Sequence, residues 1–140
     1  MTTILRNILA LIAGVFVGSL VNSAIVALGP KVIPLPEGVD MSNMDQFAEN
    51  LKLLTPANFV APWLAHALGT LVGALVASKL AASHKMKLSL AIGVLFLLGG
   101  ITMVIMFGGP IWFAVLDLVG AYLPMAYLGG ILGGARKLPS

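Results

Sequence analysis

The sequence predicts an all-α membrane protein, a four-transmembrane-helix bundle with a short amphipathic extracytoplasmic helix. Three observations predict it. Of 140 residues, 59% are hydrophobic and only 9% charged, against roughly 25% charged in soluble domains. Four apolar segments approach the roughly 20 residues that a bilayer-crossing helix needs, and short polar connectors separate them. Within those segments small residues recur at every fourth position, a pattern that lets helix backbones come close in lipid. The length suits one transmembrane domain over residues 1–140.

The first helix is expected over about residues 4–29, with Arg6 at its start and no further charge before Lys31. A secretory signal peptide is the rival reading, but the apolar run exceeds a usual signal core and Asn22 lies inside it. Ala10, Gly14, Gly18 and Asn22 form its four-residue ladder. Gly29 and Pro30 are expected to stop the helix, and Pro34 and Pro36 to keep the following chain extended. The outer loop, residues 30–55, carries a short helix over about 43–54. Ser42 and Asp45 have capping-box spacing there, and Met44, Phe47, Ala48, Leu51 and Leu54 share a face. Such a helix suits the membrane surface or the mouth of the bundle, as a shielded connector or as a lid.

Thr55 and Pro56 suit the cap and first position of the second span, residues 56–82. Here Ala61, Ala65, Gly69, Gly73, Ala77 and Ala81 make the longest small-residue ladder in the chain. Successive steps drift by about 40° on an ideal helix, so the stripe is expected to wrap round and meet more than one neighbour. The basic connector Ser83–Lys87 leads to the third span, 88–107. Gly108, Gly109 and Pro110 then predict a tight hairpin into the fourth, 111–135. That last helix carries Asp117, a kink expected at Pro124, and the late ladder Ala126, Gly130 and Gly134.

Six of the eight Lys and Arg residues, Arg6, Lys79, Lys85, Lys87, Arg136 and Lys137, fall on one side of such a four-pass chain. This asymmetry predicts cytoplasmic termini in an inner (plasma) membrane, and Trp63 and Trp112 then both fall near the outer interface. The net charge of +3 reports orientation here and implies no nucleic-acid partner. The absence of cysteine excludes disulfides and thiolate metal sites.

Helix rise sets depth. Asn22, His66 and Asp117 come out roughly 9 to 15 Å below the outer boundary at 1.5 Å per residue, and Thr102 is a candidate fourth member of the layer. Gly18, Ser19, Gly69, Gly73, Gly120 and Ala121 flank these residues, which argues that the polar faces point into the bundle. An ionised Asp near a helix centre costs about 2.5 to 3.5 kcal/mol, so Asp117 needs a partner, water or a proton, and His66 is the obvious partner. The packing positions are expected to be Gly14, Gly18, Ala65, Gly69, Gly73, Ala77, Gly130 and Gly134. His84, in the basic connector, is read as solvated.

The stretches Gly18–Asn22, GSLVN, and Ala65–Leu75, AHALGTLVGAL, resemble those of small four-helix bacterial integral membrane proteins to which no activity is assigned. Small multidrug transporters also have four helices and a similar size, but their essential membrane acid lies in the first helix, where this chain has Asn22. Two functional readings follow. One is an accessory, structural or self-associating membrane component, a homo-oligomer or part of a larger complex, whose polar layer fixes helix register. The other is an oligomeric small-solute or proton-coupled transporter or channel using Asp117 and His66. Ser19, His66 and Asp117 contain the residue types of a hydrolase triad without a nucleophile elbow, so hydrolysis is the weakest alternative. One His and one Asp at this depth are too few for a metal site, and no motif implies a cofactor.

Overall fold

The computed structural model describes residues 1–136, which leaves Lys137, one of the charges counted above, outside the described residues. Four helices are long and apolar enough to cross a membrane, at Thr3–Val32, Pro56–Leu80, Lys85–Phe107 and Ile111–Leu132. Large apolar side chains such as Ile12, Phe16, Leu98, Ile105 and Val119 lie exposed on their outer faces. In water such surface would drive aggregation; against acyl chains it is the surface the medium requires. The chain is a multi-pass membrane protein.

The helices are α1 (Thr3–Val32), α2 (Phe47–Leu53), α3 (Val60–Leu80), α4 (Lys85–Phe107), α5 (Ile111–Gly120) and α6 (Leu123–Leu132). The connector between α1 and α3 marks the loop end of the bundle, and the α3–α4 connector marks the terminal end.

Helix α3 is the axis. A Cβ added at Gly73 would lie 2.7 Å from the Gly14 carbonyl, and one at Gly69 would lie 2.9 Å from that of Gly18. These backbones touch, and only glycine fits. Further along, a Cβ on Gly14 would meet Ala77 and one on Gly29 would meet Ala61. The ladder of α3 runs against α1 along its length and also reaches α4, since a Cβ on Gly73 would lie 3.3 Å from Ile92 and Ala77 shares a core with it, so the stripe meets more than one neighbour, as its drift predicts. Other neighbours use other faces of α3: Gly129 of α6 sits on the Leu71 carbonyl and Ala74, and Gly133 on Ser78. Ser78 Oγ donates to the Gly130 carbonyl at 3.0 Å, and Ser89 Oγ of α4 donates to the Ala74 carbonyl at 3.1 Å. Ala74, Ala77, Ile92 and Ala126 form the core of this half.

The terminal end is tied by side chains of α1. Arg6 Nε donates to the Leu80 carbonyl at 2.8 Å, and Asn7 accepts from the Ala82 and Ser83 amides while donating to Ser83 Oγ. Together they close the C-terminus of α3, where carbonyls lack intrahelical donors. His84 is exposed and takes a left-handed conformation, φ 52°, that starts α4 at Lys85 rather than Leu88.

Several boundaries differ from the sequence expectation for local reasons. Helix α1 continues through Pro30 to Val32, because a proline in the last turn removes only one donor and the Ile33 amide still bonds the Gly29 carbonyl at 2.9 Å. The short helix is capped by Asn43, which accepts from the Asp45 amide, whereas Ser42 donates through both amide and hydroxyl to Asp40. It opens with a tighter turn over Met44–Gln46 before α2. Pro56–Phe59 is likewise a tight turn before α3, and the amide and hydroxyl of Thr55 both donate to Asn58 Oδ1. The fourth span is broken rather than kinked. Its interruption at Ala121–Tyr122 lies upstream of Pro124, where the proline ring conflicts with the Gly120 carbonyl. Gly134 is not a packing position: at φ 91° it follows α6 as its cap, with the Gly134 and Ala135 amides returning to Ile131 and Gly130.

Candidate functional site

Asp117 is 3% exposed, and both of its oxygens are engaged. Oδ1 lies 2.8 Å from His66 Nδ1, and Oδ2 accepts from the Tyr122 hydroxyl at 3.0 Å. The His66 and Tyr122 rings stack at 5.6 Å and 26°. With Asp117 as a carboxylate, the proton of the first bond resides on Nδ1, which leaves Nε2 as the free ring nitrogen. The His66 side chain is 30% exposed against 5% for that of Asp117, so the imidazole is more accessible than the carboxylate.

Tyr122 is absent from the sequence reading. On a continuous helix, residues five apart point about 140° away from each other, so Asp117 and Tyr122 would not meet. The break before Pro124 brings them together. Gly100 completes the arrangement, since a Cβ there would lie 2.5 Å from the tyrosine hydroxyl. A proline shortly after an intramembrane acid was the available signal, because it frees the residues just upstream from helical register.

Two cavities meet at this cluster. One, of about 470 Å³, lies beneath the loop end, with Leu35, Met41, Phe47, Leu51 and Leu54 above it and His66, Asp117 and Asn22 at its floor. Its walls come from α1, α3, α4 and α5 and are largely apolar, among them Val26, Ala61, Val104, Phe107 and Phe113. Contacts hold its roof: Phe47 packs edge-on against Phe107 at 4.9 Å, Asn50 donates to the Asp40 carbonyl, and Asn58 donates to the Pro34 carbonyl. The other cavity, of about 380 Å³, lies between α1 and α4 and carries Ser19, Asn22 and Ser23 on its α1 wall. Asn22, His66, Gly100 and Met103 line both.

Of the polar layer read from the sequence, the structure thus brings Asp117, His66 and Asn22 to one place. Thr102 lies apart: it is exposed, and its hydroxyl donates to the Leu98 carbonyl of its own helix at 2.8 Å. Of the packing positions, Gly14, Gly18, Gly69, Gly73 and Gly130 all sit at contacts too close for a side chain, and Ala65 and Ala77 are fully buried. Gly129 and Gly133 belong with them, one position before the expected steps of α6, because the break after Gly120 resets the register of that helix. Among the described residues no three His, Asp or Glu side chains come together as metal ligands would.

Fold and geometry define the class as a four-span membrane protein with a carboxylate–imidazole–phenol cluster at the floor of an apolar chamber. Compared with family models, with curated proteins and with solved structures, the chain matches none.

Proposed function

We propose that this chain binds an amphiphile within the membrane, holding the apolar body in the chamber under α2 and a hydrogen-bond-donating or singly cationic head at His66. One observation carries the reading: an apolar cavity of about 470 Å³ ends on an Asp–His pair. Ligand sites combine apolar walls with a few placed polar groups, and this volume lies in their usual range. With Asp117 ionised and His66 neutral the floor carries one negative charge, which favours a cation and disfavours a carboxylate. A purely structural role accounts for the three hydrogen-bonded side chains but assigns nothing to the space above them. Self-association through the glycine ladders is disfavoured as well, because Gly14, Gly18, Gly69 and Gly73 are already occupied within the chain. Transport in a homo-oligomer or larger complex is compatible with such a site. The Lys and Arg residues clustered at the terminal end support cytoplasmic termini in a bacterial inner membrane, which would place the chamber in the outer leaflet.

The test is equilibrium binding of a dansyl-labelled long-chain amine to the protein in nanodiscs. Saturable binding above that of protein-free discs is expected, with no competition from a long-chain carboxylate of equal length. Asp117→Asn should weaken it about tenfold or more, equivalent to about 1.4 kcal/mol. Partitioning identical to that of empty discs would defeat the proposal.

A further inference from the structure

Helices α1 and α4 touch in the terminal half of the bundle and part in the loop half. A Cβ on Gly14 would meet Ile92, and one on Gly18 would meet the Phe96 ring at 2.9 Å, so these side chains seal the lower seam. One turn further along α4, a Cβ on Gly99 would find nothing within 4 Å. The smaller cavity begins there. Ser19 and Ser23 are exposed on its α1 wall, at a depth where exposed hydroxyls would otherwise face acyl chains. Asn22, His66, Gly100 and Met103 line this cleft and the chamber alike, so the two spaces adjoin at these side chains. Met103 is 42% exposed at that junction and is an unbranched, adaptable side chain.

From this geometry we infer that the amphiphile reaches the chamber sideways from the bilayer, through the gap between α1 and α4, with Met103 as the movable side chain at the threshold. The inference rests on the binding reading above. The polar wall formed by Ser19, Asn22 and Ser23 offers successive hydrogen bonds to a head group that has left the interface, and His66 receives it. The roof of α2 is held onto α4 by the Phe47–Phe107 contact.

A barrier on a path changes association and dissociation by the same factor and leaves affinity alone, which separates a portal from a binding contact. Gly99→Phe fills open space, and Ser23→Phe narrows the gap from the α1 side. With the dansyl amine delivered from vesicles and followed by stopped-flow fluorescence, each variant is expected to slow both rates about tenfold at unchanged affinity. Ile105→Phe, 79% exposed on α4 and lining neither cavity, is the control and should match wild type. Wild-type rates in both Gly99→Phe and Ser23→Phe would overturn the portal while leaving the site in place. Absence of saturable binding in the wild type would overturn the site, and the portal with it.

Discussion

The α1–α3 seam is tight in both halves of the bundle, and the halves differ in how α4 meets it. In the terminal half, Gly14, Gly18, Gly73, Gly129 and Gly133 let backbones and side chains meet with no space between them. In the loop half, Gly99 borders open space and Gly100 makes room for the Tyr122 hydroxyl. Glycine in a membrane helix therefore marks close approach only when a partner reaches it; where the partner diverges, the same residue marks an opening. One half supplies rigidity and the other supplies a site.

The largest expected effect comes from breaking the polar floor. Asp117→Leu strands the buried Tyr122 hydroxyl, at about 1–3 kcal/mol for a buried group left unpaired, and removes the partner of the half-buried His66 imidazole. A fall in the detergent melting temperature would show it, and Asp117→Asn, which retains a hydrogen-bonding side chain, should fall much less. Equal losses would mean that the carboxylate serves no hydrogen-bonding purpose.

Next in size is the steric comparison of the halves. Gly73→Leu forces a side chain into the Gly14 carbonyl and should destabilise at the upper end of the about 1–3 kcal/mol typical of overpacking. Gly99→Leu should be nearly silent by the same melting assay. A similar loss at both positions would erase the distinction between the packed and open halves.

The smallest effect lies at the far edge of the loop end. The Ser42 hydroxyl and amide donate to Asp40 and hold its carboxyl below the ordinary range. A depressed folded value favours the ionised form, so this contribution is present above the unfolded pKa and disappears as pH falls through the folded one. Ser42→Ala should raise the Asp40 value, readable by NMR titration of the side-chain carboxyl, and leave the melting temperature almost unchanged. An unmoved titration would show that the amide alone sets it.

Legibility in the sequence followed the same division. The spans and the small-residue ladders of α1 and α3 were readable because composition and a four-residue period act locally, and Gly69 and Gly73 could hardly serve lipid; which helix each ladder meets was not. The pairing of His66 with Asp117 was readable because depth on two helices can be counted. Tyr122 was not, since its approach to Asp117 depends on a broken helix whose break point a count of residues does not locate. Thr102 shares the depth but lies on a face that turns outward, and rotation about a helix axis is fixed by neighbours rather than by rise. The cavities depend on where α1 and α4 separate, a property of two helices that neither segment encodes alone.

The clasp formed by Arg6 and Asn7 at the end of α3 bears on biogenesis. Residues 74 to 76 positions apart supply each other's missing hydrogen bonds, and the glycine seam between them runs the length of both helices. Once Ser83 has left the ribosome, the first two spans hold everything needed to dock as an antiparallel pair, and α4 and the broken span add onto a platform already formed.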